Sequence, residues 1–173
     1  MKTGRYTIFT KKTTGFAIVE LVVYLGILAI VSAGSITLLL SLQDIVSKHK
    51  AQQLVARNAT VALERMLYEV RAADAVNTGA STLGSSPGTL VLTQGATTTS
   101  FTLNSGALKI KLNNGSYNAL TSSDVSVTNV TFYRYTNSNT EMVRVLMTIS
   151  ATVGHSTVSE SFDSAAVLLN SYD

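Results

Sequence analysis

Residues 11–42 read KKTTGFAIVELVVYLGILAIVSAGSITLLLSL, and this stretch decides what kind of chain follows. After Lys11 and Lys12 the only charge in it is Glu20, and the 23 residues from Leu21 to Gln43 carry none. At 1.5 Å per residue a helix of that length crosses a hydrocarbon core of about 30 Å. Lysines before the apolar run and Asp44 behind it orient the span with its N-terminus in the cytoplasm and the remaining chain outside. A secretory signal peptide has a shorter apolar region, about 7 to 15 residues, ending at a small-residue cleavage site. Here a cut after Ser32 or Ala33 would fall inside the run. Hydropathy leaves a plain signal anchor open, and Glu20 is the residue that argues against it, because an ionised carboxylate in a span is costly and usually partnered or functional.

The first fifteen residues hold Lys2, Arg5, Lys11 and Lys12 and no acid. The chain has 173 residues and a formal charge of +3, yet without those four cations nine basic residues face ten acidic ones. The excess positive charge therefore belongs to the leader, and nucleic-acid binding by the rest of the chain loses its main support. With no cysteine there is neither a disulfide framework nor a thiolate site. A region of more than about 100 residues can hold together by packing alone.

Beyond the span the apolar pattern becomes helical. Ile45, Ala56, Ala59, Leu63, Met66, Val70 and Ala73 form one stripe, and no proline interrupts residues 16–73, so a single helix about 87 Å long is expected. Residues 44–76 are its amphipathic second half. Asn77 to Gly88, with the sole proline Pro87, reads as a loop. A two-residue period follows in Leu90/Leu92, Phe101/Leu103, Leu108/Ile110/Leu112, Val125/Val127 and Phe132, and most clearly in Val143, Val145, Met147, Ile149, Ala151 and Val153. Asn104-Ser105-Gly106 and Asn113-Asn114-Gly115 are turn signals, and Ser156 to Leu169 returns to the sheet. The expected fold class is α+β: a long N-terminal helix whose second half packs on one antiparallel sheet.

The order of basic leader, Gly15, Phe16, an apolar stretch with Glu20, then helix and sheet resembles the type IV prepilin and type II secretion pseudopilin superfamily. The signature KKTTGFAIVELVVYLGILAIV covers residues 11–31. VYLGIL, LVARNATVALERMLYEVRAA and FDSAAVLLN look most similar to minor pilins and minor pseudopilins of the J type. The span lacks the proline many major pilins carry about twenty positions into the mature helix, and a C-terminal disulfide loop is impossible. The resemblance implies a pilin-like fold divided into a leader (1–15), a transmembrane and filament-core helix (16–43), its amphipathic continuation (44–76) and a β-rich region (77–173). It implies cleavage between Gly15 and Phe16 by an inner-membrane prepilin peptidase, N-methylation of Phe16, and assembly through Glu20 with other pilins or pseudopilins on an inner-membrane platform.

Other chemistries find little in the sequence. His49 and His155 lack flanking acids at ligand spacing, no G-x-S-x-G elbow accompanies the serines, and Asp124, Glu141, Glu160 and Asp163 stand apart from one another, so no catalytic residue, metal site or cofactor is expected. Tyr133 and Tyr135 around Arg134 are a candidate aromatic and basic patch, against which stands ordinary cross-strand packing. Three functions stay open: a structural minor subunit, a pilus-tip subunit that captures DNA or a surface, and a signal-anchored envelope protein that never assembles.

Overall fold

The computed structural model describes residues 16–137 and 140–169. The chain divides into two units between Gln43 and Asp44, and α1 (Phe16–Ala72) contributes to both. In the first unit every side chain from 17 to 43 is exposed, including Ile18, Leu21, Leu28, Ile30 and Leu39. α1 is long and apolar enough there to cross a membrane. Its hydroxyls turn back on the backbone: Ser35 donates to the Val31 carbonyl at 2.9 Å, Thr37 to Ala33 at 3.1 Å and Ser41 to Thr37 at 3.0 Å. Helix and side chains thus satisfy their own hydrogen bonds, as hydrocarbon requires.

In the second unit the same helix buries Ala51, Val55, Ala59, Ala62, Met66 and Val70 completely. Spacings of four and three keep them on one face. Alanine at three of these six positions leaves little side chain there between the helix backbone and what it covers. Arg71 sits in the last turn, where a cation complements the helix dipole. The chain leaves the helix when the Asp74 amide donates to the Thr93 carbonyl at 2.8 Å and β1 (Ala75–Val76) joins a sheet.

Two antiparallel sheets follow where one was expected. The first has the order β1, β2 (Thr89–Gln94), β3 (Thr97–Asn104), β4 (Ala107–Leu112), β5 (Asn118–Ala119). The second has the order β6 (Val125–Asn137), β7 (Thr140–Val153), β8 (Ser156–Val167). The reason for the division is local. Loop groups take the outer hydrogen bonds of β6 that a neighbouring strand would need: Gly84 and Gly88 amides donate to the Phe132 and Val130 carbonyls at 2.8 Å each, and the Val127 amide donates to the Gly106 carbonyl at 2.8 Å. Gly88 is held so closely that a Cβ there would lie 2.9 Å from the Phe132 ring.

One hydrophobic core joins α1 to both sheets, with Leu90, Leu92, Phe101 and Leu108 from the first and Val130, Phe132, Val145, Met147 and Ile149 from the second. Each large apolar side chain so buried stabilises the fold by roughly 1.5–3 kcal/mol. The turn expected at Asn104-Ser105-Gly106 is a two-residue hairpin with φ of 54° at Ser105 and 72° at Gly106, a conformation suited to glycine and costly for most other residues.

Three details depart from the sequence reading. On α1, Ile45 is 52% exposed and Ala56 is exposed, while Ala51, Val55 and Ala62 take the buried face. Stepping back from Met66 by threes and fours reaches those residues and continues to half-buried Ser47, which lies against the Gly154 turn. Leu112, at the last position of β4, is 50% exposed. In β6 the register shifts between Val127 and Asn129, and this bulge moves the buried set from Val125 and Val127 to Val130 and Phe132.

Candidate functional site

The junction Gly15–Phe16 lies at the edge of what is described: Gly15 falls outside the described residues, and of Phe16 only the backbone, at the start of α1, is described. Glu20 is on α1 one turn further on, surrounded along the helix by exposed Val19, Leu21, Val22 and Val23. Its carboxylate has one hydrogen-bond partner among the described residues, the hydroxyl of Tyr24, which donates to Glu20 Oε1 at 3.0 Å. Helical side chains lean toward the N-terminus, so a long residue at position i+4 reaches back to the level of residue i. The i, i+4 spacing of Glu20 and Tyr24 was the available sequence signal for this contact.

Glu141, Asp163 and Asp124 have structural partners. Glu141 is 7% exposed on the inward face of β7, where it pairs with Arg134 and accepts from the Val76 amide at 3.3 Å. It thereby ties the second sheet to the strand that follows α1. Strand alternation puts Arg134 on the inward side with its partner Val143, and Tyr133 on the opposite side with Arg144. The three residues therefore form no common patch. Arg144 grips Asp163 through two atoms, with Nε donating to Oδ1 at 2.9 Å. This guanidinium holds the Asp163 carboxyl below the ordinary carboxylate range. The hydrogen bond from Arg144 to Asp163, with a second to Tyr135, raises the arginine further above neutrality.

His49 and His155 are both exposed, and among the described residues no three His, Cys, Asp or Glu side chains come together as a metal site would require. Asp124 accepts from Ser122 in a turn, and Glu160 lies on the inward face of β8 opposite Ile149. Two surface grooves of the second unit share Leu54 and Arg57, one reaching Val153 and the other Leu120 and Asp124, and neither holds a histidine or a carboxylate pair. What residues 17–43 offer is thus one carboxylate on an uncovered apolar stretch of α1. Comparison with protein-family models, curated proteins and solved structures returned no match.

Proposed function

We propose that this chain is a prepilin-type structural subunit: a single-pass inner-membrane precursor, cut between Gly15 and Phe16, whose mature form joins a type IV pilus or type II secretion filament as a minor pilin or pseudopilin. The observation that carries the reading is Glu20, the sole charge in the uncovered apolar stretch of α1 from residue 17 to residue 43, at the fifth position of the chain that cleavage would leave.

Lys11 and Lys12 keep the leader in the cytoplasm, and the second unit stands on the far side of the membrane. Cleavage after Gly15 creates an α-amino group at Phe16 whose ordinary pKa near 8 leaves it mostly charged at neutral pH. In hydrocarbon that ammonium and the Glu20 carboxylate of an adjacent subunit attract with little screening. Leaving either ion of such a pair alone costs about 3–5 kcal/mol, so the pair sets the axial register between subunits. The work of the protein is then assembly, with a prepilin peptidase, other pilins or pseudopilins, an inner-membrane platform and lipid as its partners, and no catalysis of its own.

The test is the N-terminus. Mass spectrometry of the protein from its native membrane should find a chain beginning at N-methylated Phe16. Gly15→Val, which puts a branched side chain where the peptidase needs bare backbone, should leave full-length precursor in the membrane. An unchanged ratio of mature protein to precursor on a gel would sink the proposal.

A further inference from the structure

We propose that Tyr24 is a positioning residue for Glu20: its hydroxyl holds one carboxylate oxygen within its own chain and leaves the other for a cation on a partner subunit. The inference rests on the filament reading for its purpose, and on the helix geometry for its substance.

In the first unit, Ser35, Thr37 and Ser41 donate to backbone carbonyls four residues back, as hydroxyls in a span ordinarily do. Tyr24 is different. Its donor goes to a side chain, Glu20 Oε1 at 3.0 Å, and no other side chain in that unit makes such a bond among the described residues. A tyrosine in a span usually sits in the interface with its hydroxyl in water. Tyr24 lies about 12 Å along the helix from Phe16, at 1.5 Å per residue, and its ring leans back over one turn to spend that hydroxyl on Glu20 instead. Two consequences follow. The carboxylate gains a donor that is present before any partner arrives, so insertion does not leave the charge wholly unpaired. The carboxylate is also pinned against one side of α1, so Oε2, which has no hydrogen-bond partner among the described residues, faces a restricted range of directions. A pinned acceptor loses less freedom on pairing than a free one and accepts a partner from fewer angles.

Four full-length chains test this: wild type, Tyr24→Phe, Glu20→Gln and the double variant. In vesicles of phosphatidylethanolamine and phosphatidylglycerol, infrared difference spectra between each Glu20 chain and its Gln counterpart isolate the Glu20 carboxyl band. That band should shift when the Tyr24 hydroxyl is removed. In cells, cleavage and membrane insertion of Tyr24→Phe should equal wild type while crosslinked incorporation with partner pilins falls roughly tenfold, the size of one hydrogen bond to a charged group. In the Glu20→Gln background the same substitution should cost nothing more. An unmoved band, or an equal loss of incorporation in the Gln background, overturns the proposal, since Tyr24 would then act as a ring and not through Glu20. Normal incorporation of Glu20→Gln would instead defeat the filament reading, and the band alone would still decide whether Tyr24 holds the carboxylate.

Discussion

Residues 17–43 and residues 44–72 belong to one helix and follow opposite rules of burial. In the first stretch nothing is covered, and Leu, Ile and Val side chains stand about half exposed or more along its length. In the second, a regular set of apolar residues from Ala51 to Val70 is closed off completely. Secondary structure is therefore the same while the source of stability is not. The second stretch is held by what it packs on. The first has its backbone and hydroxyl hydrogen bonds satisfied from within and lacks only an apolar surround, which a bilayer or a bundle of like helices supplies.

The largest effect expected from that contrast is separability. A chain beginning at Asp44 should be a soluble monomer with mixed helix and strand by circular dichroism and a cooperative unfolding transition, whereas the full chain should need lipid or detergent. If the shortened chain aggregates or melts without cooperativity, the two stretches are not independent and the contrast fails.

A paired substitution sharpens it. Phe132→Ala empties the centre of the second sheet's contribution to the core and should destabilise the second unit by about 3–5 kcal/mol in denaturant unfolding. Leu28→Ala removes an equally apolar side chain from the uncovered stretch and should leave that transition where it was. Comparable losses from both would mean that the first stretch is covered in the native protein by something in the second.

A smaller effect is expected at Glu141, which joins Arg134 and the Val76 amide at the end of the core. Glu141→Ala leaves those donors without their acceptor and should cost about 1–3 kcal/mol, with hydrogen exchange at Val76 faster than in wild type. Unchanged exchange there would show that the tie between helix end and sheet lies elsewhere.

The smallest effect belongs to Asp163, half exposed beside Arg144. Because the arginine depresses the folded-state pKa of this carboxyl, its contribution is present above the unfolded value of about 4 and is lost as pH falls through the lower folded value. The stability difference between wild type and Asp163→Asn should accordingly be constant near neutrality and vanish in acid. A difference that grows on acidification would reverse the assignment.

Much of this was legible in the residues themselves. An unbroken apolar run, one carboxylate within it and a proline-free continuation specify α1, and the alternation from Val143 to Ala151 specifies β7. What escapes sequence reasoning is whatever depends on a partner. Alanine carries too little hydrophobic weight to mark a face, so Ala51 and Ala62 are identified as core only by the sheets opposite them. The bulge at Val127 to Asn129 is written as a change of parity between Val127 and Val130, but only pairing with β7 says which strand holds the extra residue. The division into two sheets depends on Gly84 and Gly88, loop residues whose hydrogen bonds no periodicity announces. For the site, Glu20 is plain from its isolation, while Tyr24 passes for one more large residue until its hydroxyl is located.

The sheet borders bear on how copies of this molecule meet one another. β1 and β5 are two-residue borders, the middle of β6 is already occupied by loop amides, and β8 turns Glu160 toward its own interior face. Short rims, covered rims and an inward charge are the devices that stop strands from templating further strands. Among the described residues these borders are poor rails for the extension that amyloid requires. In the proposed filament, subunit contacts would then run through side chains and not through backbone ladders, and such a polymer can be taken apart again subunit by subunit.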